Sequence, residues 1–379
     1  MNLSARTGAS FLQEIVSPWY EALQNPAEAQ QKVLKNLVEG YAKTLYGKNH
    51  GAFNVEGAAD FRKNFPKVNY KGLVPYFEEV QRGNETIILS EPPVCWVMTR
   101  GSTGQAKVFP VTKTHIEQIF VCGARALVNH ALRKDDLEIL TGKMLNLNFP
   151  SMVSTIDSDG CKITYGYSSG TYAKLNPILN QVSLLPRQEE IDALGPGITK
   201  PDWERRFDLV HERALNEPVV AAIGVTPVIL SFGRYLKKRY GREPKELWKF
   251  RALICTSVRK IQFKYGPILR KHFGEIPIVE MYSATEGVFA QQLDDLPYIT
   301  PNYDKYYFEV ETSKDMKMLY ELKRGEWGRL IISSCLFPRY DIGDMIEAMG
   351  HNYFRVFGRA KTLTILEHKL YRLLLGWFL

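Results

Sequence analysis

The sequence contains no uninterrupted apolar run of the ~18 residues that a membrane-spanning helix needs, which excludes a helical membrane span. Its opening, MNLSARTGASFLQEI, lacks the apolar core and small-residue cleavage site of a secretory leader. Five cysteines, Cys95, Cys122, Cys161, Cys255 and Cys335, lie far apart with no C-x-x-C pair, which argues against a disulfide framework and for a reducing, cytoplasmic setting. The seven histidines form no H-E-x-x-H or other paired spacing, so histidine-based metal catalysis has no support. No low-complexity tract or fixed repeat is present.

With 379 residues, 45% hydrophobic and 24% charged, the chain can form a large core divided into subdomains. The net charge of +8 is concentrated, because Arg234 to Lys271 carries thirteen Lys/Arg against Glu243 and Glu246. Solvated helix faces explain such a stretch, as does a patch for a phosphorylated cofactor, an acidic carrier protein or nucleic acid. Its aromatics serve equally well as core residues, so nucleic acid is the weakest of these readings.

Apolar residues recur at helical spacing from Phe11 to Tyr46, interrupted by Asn25-Pro26, and predict two amphipathic helices. A short helix stopped by Gly83 is expected within Phe61 to Asn84, and Glu85 to Met98 is rich in β-formers. Beyond it, the helix expected over Thr114 to Leu132 precedes short β-rich runs at Val219 to Val225, Ala252 to Thr256 and Ile276 to Tyr282. This alternation implies parallel strands joined by helices. Gly328 to Cys335 and Met345 to Val356 suggest a more antiparallel unit. The apolar end, HKLYRLLLGWFL, reads as a helix that packs on something.

Three segments carry chemistry. Thr99-Arg100-Gly101-Ser102-Thr103-Gly104-Gln105-Ala106-Lys107 joins a strand to a helix, and its small residues, hydroxyls and lysine suit triphosphate binding. It is not a Walker A loop, since Gln105 and Ala106 separate Gly104 from Lys107. Tyr282-Ser283-Ala284-Thr285-Glu286-Gly287 follows an apolar strand, where open α/β sheets place ligands; Tyr282 can stack on a base and Glu286 can ligate Mg2+. In Tyr340-Asp341-Ile342-Gly343-Asp344, followed by Gly358-Arg359, a carboxylate after a turn glycine can accept from a ribose diol.

In this order the three segments resemble the adenylate-forming superfamily of acyl-CoA synthetases, peptide-synthetase adenylation domains and luciferases. Asn64-Phe65-Pro66 through Tyr70, Val74-Pro75-Tyr76 and Arg82-Gly83-Asn84 are similar to the auxin-responsive acyl-acid amido synthetases and their prokaryotic relatives. The resemblance spans roughly residues 30 to 365 and implies an α/β fold: a large adenylate-forming N-terminal domain with parallel-sheet αβα subdomains and a smaller β-rich subdomain. It assigns residues 1–360 to the adenylation domain and leaves 361–379 as a short tail in place of the family's C-terminal lid.

The resemblance also implies roles. Ser102, Thr103, Gly104 and Lys107 would hold the β- and γ-phosphates of ATP, Tyr282 the adenine, Thr285 and Glu286 the α-phosphate and Mg2+, and Asp344 and Arg359 the ribose, with Thr99, Arg100, Gly101 and Ser283 also among the cofactor-binding residues. Lys107, Thr285 and Glu286 would be catalytic, and Tyr165, Ser168, Gly170, Val225 and Thr256 would lie near an aromatic or apolar acid. The acceptor would be an amine, CoA or a carrier protein. Arg100 replaces a residue usually small in the family, and Lys361 stands where a hinge aspartate is common. The apolar tail from Leu370 to Phe378 is expected to cover surface that a lid would contact. Two other readings stay open: a binding member of the superfamily without turnover, and a serine hydrolase built on the G-x-S-x-G pattern Gly166-Tyr167-Ser168-Ser169-Gly170, with Ser168 as nucleophile and His351 or His368 as base.

Overall fold

The computed structural model describes residues 3–100, 106–158, 160–177 and 184–376. Gly101, Ser102, Thr103 and Gly104 therefore lie outside the described residues, as do Trp377 and Phe378 of the tail. The two opening helices are Leu3–Gln24 and Pro26–Tyr41, with Pro26 at the first helical position, where its missing N–H costs nothing. Gln30 ties the second helix to the far end of the chain, because its amide donates to the carbonyls of Tyr303 and Tyr306 and its oxygen accepts from Phe308 N–H.

Three sheets follow. The first has the order β2-β1-β5-β4, formed by β1 (Pro93–Met98), β2 (Val108–Thr112), β4 (Ser154–Ser158) and β5 (Cys161–Tyr167). The second, β11-β10-β9-β8-β7-β3-β6, is parallel from β9 (Ile278–Ala284) through β8 (Ala252–Thr256), β7 (Val219–Val225) and β3 (Lys143–Asn146) to β6 (Leu184–Leu185). Its antiparallel edge is β10 (Gly287–Gln291) and β11 (Thr300–Pro301). The third sheet, β13-β12-β14-β15-β16, is antiparallel throughout: β12 (Tyr307–Glu311), β13 (Met316–Met318), β14 (Trp327–Ser333), β15 (Tyr340–Gly350) and β16 (Tyr353–Arg359).

The expected division into a parallel αβα part and a β-rich part is the one found. β8 is buried along its whole length, as a parallel strand covered by helices on both faces must be. Glu85 to Met98 starts differently from its β-forming composition: residues Glu85–Ile87 form a 3-10 turn, and the strand begins only at Pro93, after Pro92. Buried ion pairs join the units. Glu309 receives Arg62 and Arg339, and Arg125 donates to both oxygens of Asp304 and to Asn302. Breaking such a pair by removing one partner leaves an uncompensated charge, so these positions are costly to alter.

The chain ends in the helix Thr362–Gly376. His368 stacks on Phe357 at 3.9 Å between ring centroids and meets the edge of Trp327. The helix packs on β16 through the face carrying His368 and Thr364, which leaves Leu363, Leu366, Leu370 and Leu373 exposed; of the tail expected to cover a lid-facing surface, the side chains of residue 372 and of 374–378 lie outside the described residues.

Candidate active site

The end of β9 passes into a two-residue turn, Thr285-Glu286, from which β10 returns. Glu286 is only 5% exposed. Its Oε1 receives Lys107 Nζ at 3.2 Å and the Tyr340 hydroxyl at 3.0 Å, while Lys107 Nζ also donates to the Tyr340 oxygen at 2.9 Å. The lysine lies 5.5 Å and 5.6 Å from the ring centres of Tyr70 and Tyr340, so two aromatic faces add to its confinement. Burial and the Glu286 carboxylate push the Tyr340 phenol far above its ordinary range, which keeps it a hydrogen-bond donor.

Lys107 is placed by the neck of the glycine-rich loop. Thr99 N–H donates to the Lys107 carbonyl at 2.9 Å, and Lys107 N–H donates to the Thr99 hydroxyl at 3.0 Å. These two bonds tie the end of β1 to the start of β2. Arg100, beside Thr99, lies over the Phe149 ring at 5.3 Å.

A second group forms where β15 and β16 pair. Asp344 and Arg359 are register partners, with Arg359 Nη1 3.2 Å from Asp344 Oδ1, and the Tyr282 hydroxyl donates to Asp344 Oδ2 at 2.7 Å. Gly343 has φ of +80°, a conformation that favours glycine and turns Asp344 toward Tyr282. Burial raises the Asp344 carboxyl above its ordinary pKa, against the pull of Arg359 and the Tyr282 hydrogen bond.

Hydroxyls line the ground between these groups. Ser168 Oγ and Thr285 Oγ1 are 3.0 Å apart, the Tyr172 hydroxyl donates to the Thr285 carbonyl, and Thr256 and Ser283 share a hydrogen bond of 2.6 Å. All of these side chains except those of Tyr70 and Tyr340 open on one cavity of about 1070 Å³. Thr99, Arg100, Lys107, Tyr282, Ser283, Thr285, Glu286, Asp344, Arg359, Ser168, Val225 and Thr256 share it, with an apolar arm walled by Ile119, Phe120, Leu127, Val128, Met144 and Ile223. Gly224 beside Val225 has φ of +150° and nothing within 4 Å of where a Cβ would stand, so the chain there opens toward space.

Two expected pocket residues lie elsewhere. Gly170 serves packing: a Cβ there would stand 2.0 Å from the Phe149 carbonyl oxygen, so glycine is needed for the helix Ser168–Leu175 to seat on that segment. Tyr165 packs on the main core from β5, two residues (roughly 6–7 Å) short of the strand end that reaches the cavity. The same strand-to-helix step explains why the G-x-S-x-G pattern looked like a nucleophile elbow. The partner of Ser168 is the Thr285 hydroxyl, however, and no histidine is among the cavity's lining residues. We expect Ser168→Ala to lower turnover only a few-fold, the scale of one neutral hydrogen bond. Fluorophosphonate labelling that vanishes in this variant would restore the hydrolase reading.

Sequence reasoning passed over Tyr340 as a site residue, although it opens the quoted motif; only its reach to Lys107 and Glu286 reveals it. Glu280 was also missed. It faces the cavity two residues before Tyr282, and burial raises its carboxyl to about 8. Since the unfolded chain ionises near the ordinary value of 4.5, stability is lost as pH rises from about 5 to 8. Glu280→Gln should therefore gain up to a few kcal/mol over the parent at pH 9 and little at pH 4.5, because each tenfold change in an ionisation constant is worth roughly 1.4 kcal/mol. Denaturant midpoints of both proteins across this range would check it, and a pH-independent difference would refute it.

Burial raises Cys95, Cys122, Cys255 and Cys335 to about 12, so none of these is a thiolate nucleophile at neutral pH. Among the described residues, no three His, Cys, Asp or Glu side chains cluster as a metal site, and no helix is long and apolar enough to cross a membrane.

Comparison with known proteins gives a consistent result. Residues 17–193 match the GH3 family N-terminal domain. The chain is 28% identical to the indole-3-acetic acid-amido synthetase GH3.2 of Arabidopsis thaliana, over 92% of this chain and 76% of that protein. It is 25% identical to the corresponding enzyme GH3.8 of Oryza sativa subsp. indica, over 92% and 68%. Its fold is similar to that of the AtGH3.15 acyl acid amido synthetase in complex with 2,4-DB, with a TM-score of 0.75 and 16% identity over 92% of this chain and 71% of that one. It is also similar to that of a 2-hydroxyisobutyryl-CoA ligase in its postadenylation state, with a TM-score of 0.61 and 13% identity over 88% and 67%.

Proposed function

The chain belongs to the adenylate-forming superfamily, and from that premise we propose that it uses ATP to activate a carboxylic acid as its acyl-adenylate and then passes the acyl group to an acceptor. The observation that carries this reading is the single cavity in which the loop-end lysine, the Thr285-Glu286 turn, the Tyr282–Asp344–Arg359 group and an apolar arm meet.

In the reaction, a carboxylate oxygen of the acid attacks the α-phosphorus of ATP in line, and the bond to the bridging oxygen of the departing pyrophosphate breaks. No protein nucleophile is required, so catalysis consists of positioning and charge compensation. The glycine-rich loop and Lys107 take the β- and γ-phosphates. Tyr340 and Glu286 fix the lysine, so its charge is in place before substrate arrives. Asp344 accepts from the ribose, Arg359 and Tyr282 orient that carboxylate, and the Tyr282 ring borders the base. Thr285 and Ser168 present hydroxyls at the α-phosphate, beside the apolar arm that takes the body of an aromatic or other apolar acid.

Mg2+ fits this donor set. Glu286 is a lone carboxylate at the phosphate end, and Mg2+ is ordinarily held by one or two carboxylates together with substrate phosphates. When bound, it would neutralise charge on the phosphoryl oxygens. The acceptor is an amino acid or CoA, with a carrier protein as a further candidate, and five unpaired cysteines suit a cytoplasmic setting.

The test is acid-dependent exchange of labelled pyrophosphate into ATP, screened over a panel of aromatic and aliphatic acids and followed by amino acids and CoA as acceptors. ATP binding with no exchange for any acid would leave only a binding role.

A further inference from the structure

The turn after β8, Ser257-Val258-Arg259-Lys260, is held in an unusual conformation on the cavity wall. Ser257 has φ of +75° and Lys260 of +60°, two non-glycine residues in the left-handed region within four positions. Both conformations are strained for a residue with a side chain, and such strain gathers at functional sites. A π-helical turn, Ile261–Tyr265, follows directly; these too are frequent at functional sites. Its Lys264 N–H donates to the Lys260 carbonyl at 2.8 Å, which sets the two lysines one turn apart. Arg259 anchors the turn on β16 by donating to the Phe357 carbonyl at 2.8 Å.

Arg259, Lys260 and Lys264 all line the cavity. None of the three has a carboxylate partner among the described residues; of the rest of the basic segment, Lys237 and Lys245 pair with Glu243, and Arg251 with Asp136 and Glu138, so what sets Arg259, Lys260 and Lys264 apart is their place on the cavity wall. Within the cavity, Lys107 is committed to Glu286 and Arg359 to Asp344. The wall therefore offers positive charge beyond what the nucleotide site uses.

We propose that Arg259, Lys260 and Lys264 form the docking wall for the anionic group of the acyl acceptor, either the carboxylate of an amino acid or the phosphates of CoA. This rests on the adenylation reading. An acceptor of either kind brings its anion into the cavity along with its nucleophile. Exposed, unmatched cations on a cleft wall attract such a ligand and fix its register, and a neutral analogue gains nothing from them.

The test uses the whole chain loaded with the acyl sulfamoyl-adenosine of the best acid from the exchange screen. It is titrated by calorimetry with amino acids and CoA, and with their neutral counterparts, amino-acid amides and pantetheine. An anionic acceptor should bind more tightly than its neutral counterpart, and Lys260→Glu with Lys264→Glu should weaken it about tenfold or more while sparing the counterpart. Lys260→Gln with Lys264→Gln should give a smaller loss at the same thermal midpoint as the parent, which separates the charge effect from misfolding. The preferred source is identified by which of the two acceptors responds. The inference is overturned if no anionic acceptor binds, if the variants bind it like the parent, or if they lose the adenosine analogue instead, since the wall would then belong to the nucleotide. Absence of exchange in the parent protein would remove the adenylation reading, and this inference with it.

Discussion

Lys107→Ala is expected to lower acid-dependent pyrophosphate exchange by about 10²–10³-fold, the scale set by removing one preorganised charge or donor from a developing anionic centre. The lysine leaves behind a buried carboxylate, Glu286, whose remaining partner is the Tyr340 hydroxyl. Stability should fall as well, because an unpaired buried charge is unfavourable. Lys107 is itself partly exposed, so solvent relieves some of that loss. The two effects separate in a double variant: Lys107→Ala with Glu286→Gln should recover the thermal midpoint without recovering exchange. Recovery of exchange along with stability would mean that the lysine acts only as a counter-ion for Glu286. Near-parental exchange by Lys107→Ala alone would remove it from the phosphate site altogether.

The fold was legible wherever a local pattern determines the element. The helical period with Asn25-Pro26 as its break corresponds to the two opening helices, except that the second ends at Tyr41 and Leu45 and Tyr46 belong to a separate short helix, Leu45–Asn49, capped by Thr44. The runs at 219–225 and 252–256 are β7 and β8 with the same limits, since fully buried parallel strands leave an uninterrupted apolar signature. Elements whose extent depends on partners were less visible. The single run expected from Met345 to Val356 is two strands, β15 and β16, which turn at His351 and Asn352, both at positive φ and neither a glycine.

The site divides in the same way. Its motif residues could be identified because each carries a short sequence signature, Thr285-Glu286 at a turn and Gly343-Asp344 inside β15, where the pairing with β14 is irregular and the expected turn glycine is instead a strand residue at positive φ. The residues that complete it come from positions far apart in sequence: Tyr340 on Glu286, Tyr172 on Thr285, and the turn at 257–260 on the cavity wall. No spacing rule links such positions, because a three-dimensional contact between distant strands leaves no periodic trace. Gly170 shows the opposite failure. It matched a catalytic pattern, but the glycine is required by the approach of the Phe149 carbonyl.

Asp344→Ala should raise the KM for ATP by about 10²-fold, the sum of roughly two hydrogen bonds to an ionised acceptor, reduced by the bonds that the free protein already makes there. Those bonds matter, because the carboxylate is occupied by the Tyr282 hydroxyl and Arg359 before any nucleotide arrives. Ribose hydroxyls must bind to its remaining lone pairs or displace Tyr282, so the gain per bond is smaller than for an unengaged carboxylate. The discriminating readout is the ratio of kcat/KM for ATP to that for 2′,3′-dideoxy-ATP. In the parent protein this ratio should be large, since the dideoxy sugar leaves a buried carboxylate without its ligand partners. In Asp344→Ala it should approach one, while Tyr282→Phe, which removes only the orienting hydroxyl, should keep most of it. A ratio unchanged by Asp344→Ala would move the ribose away from the β15–β16 pair, and the nucleotide would then have to be placed from the Lys107 end of the cavity alone.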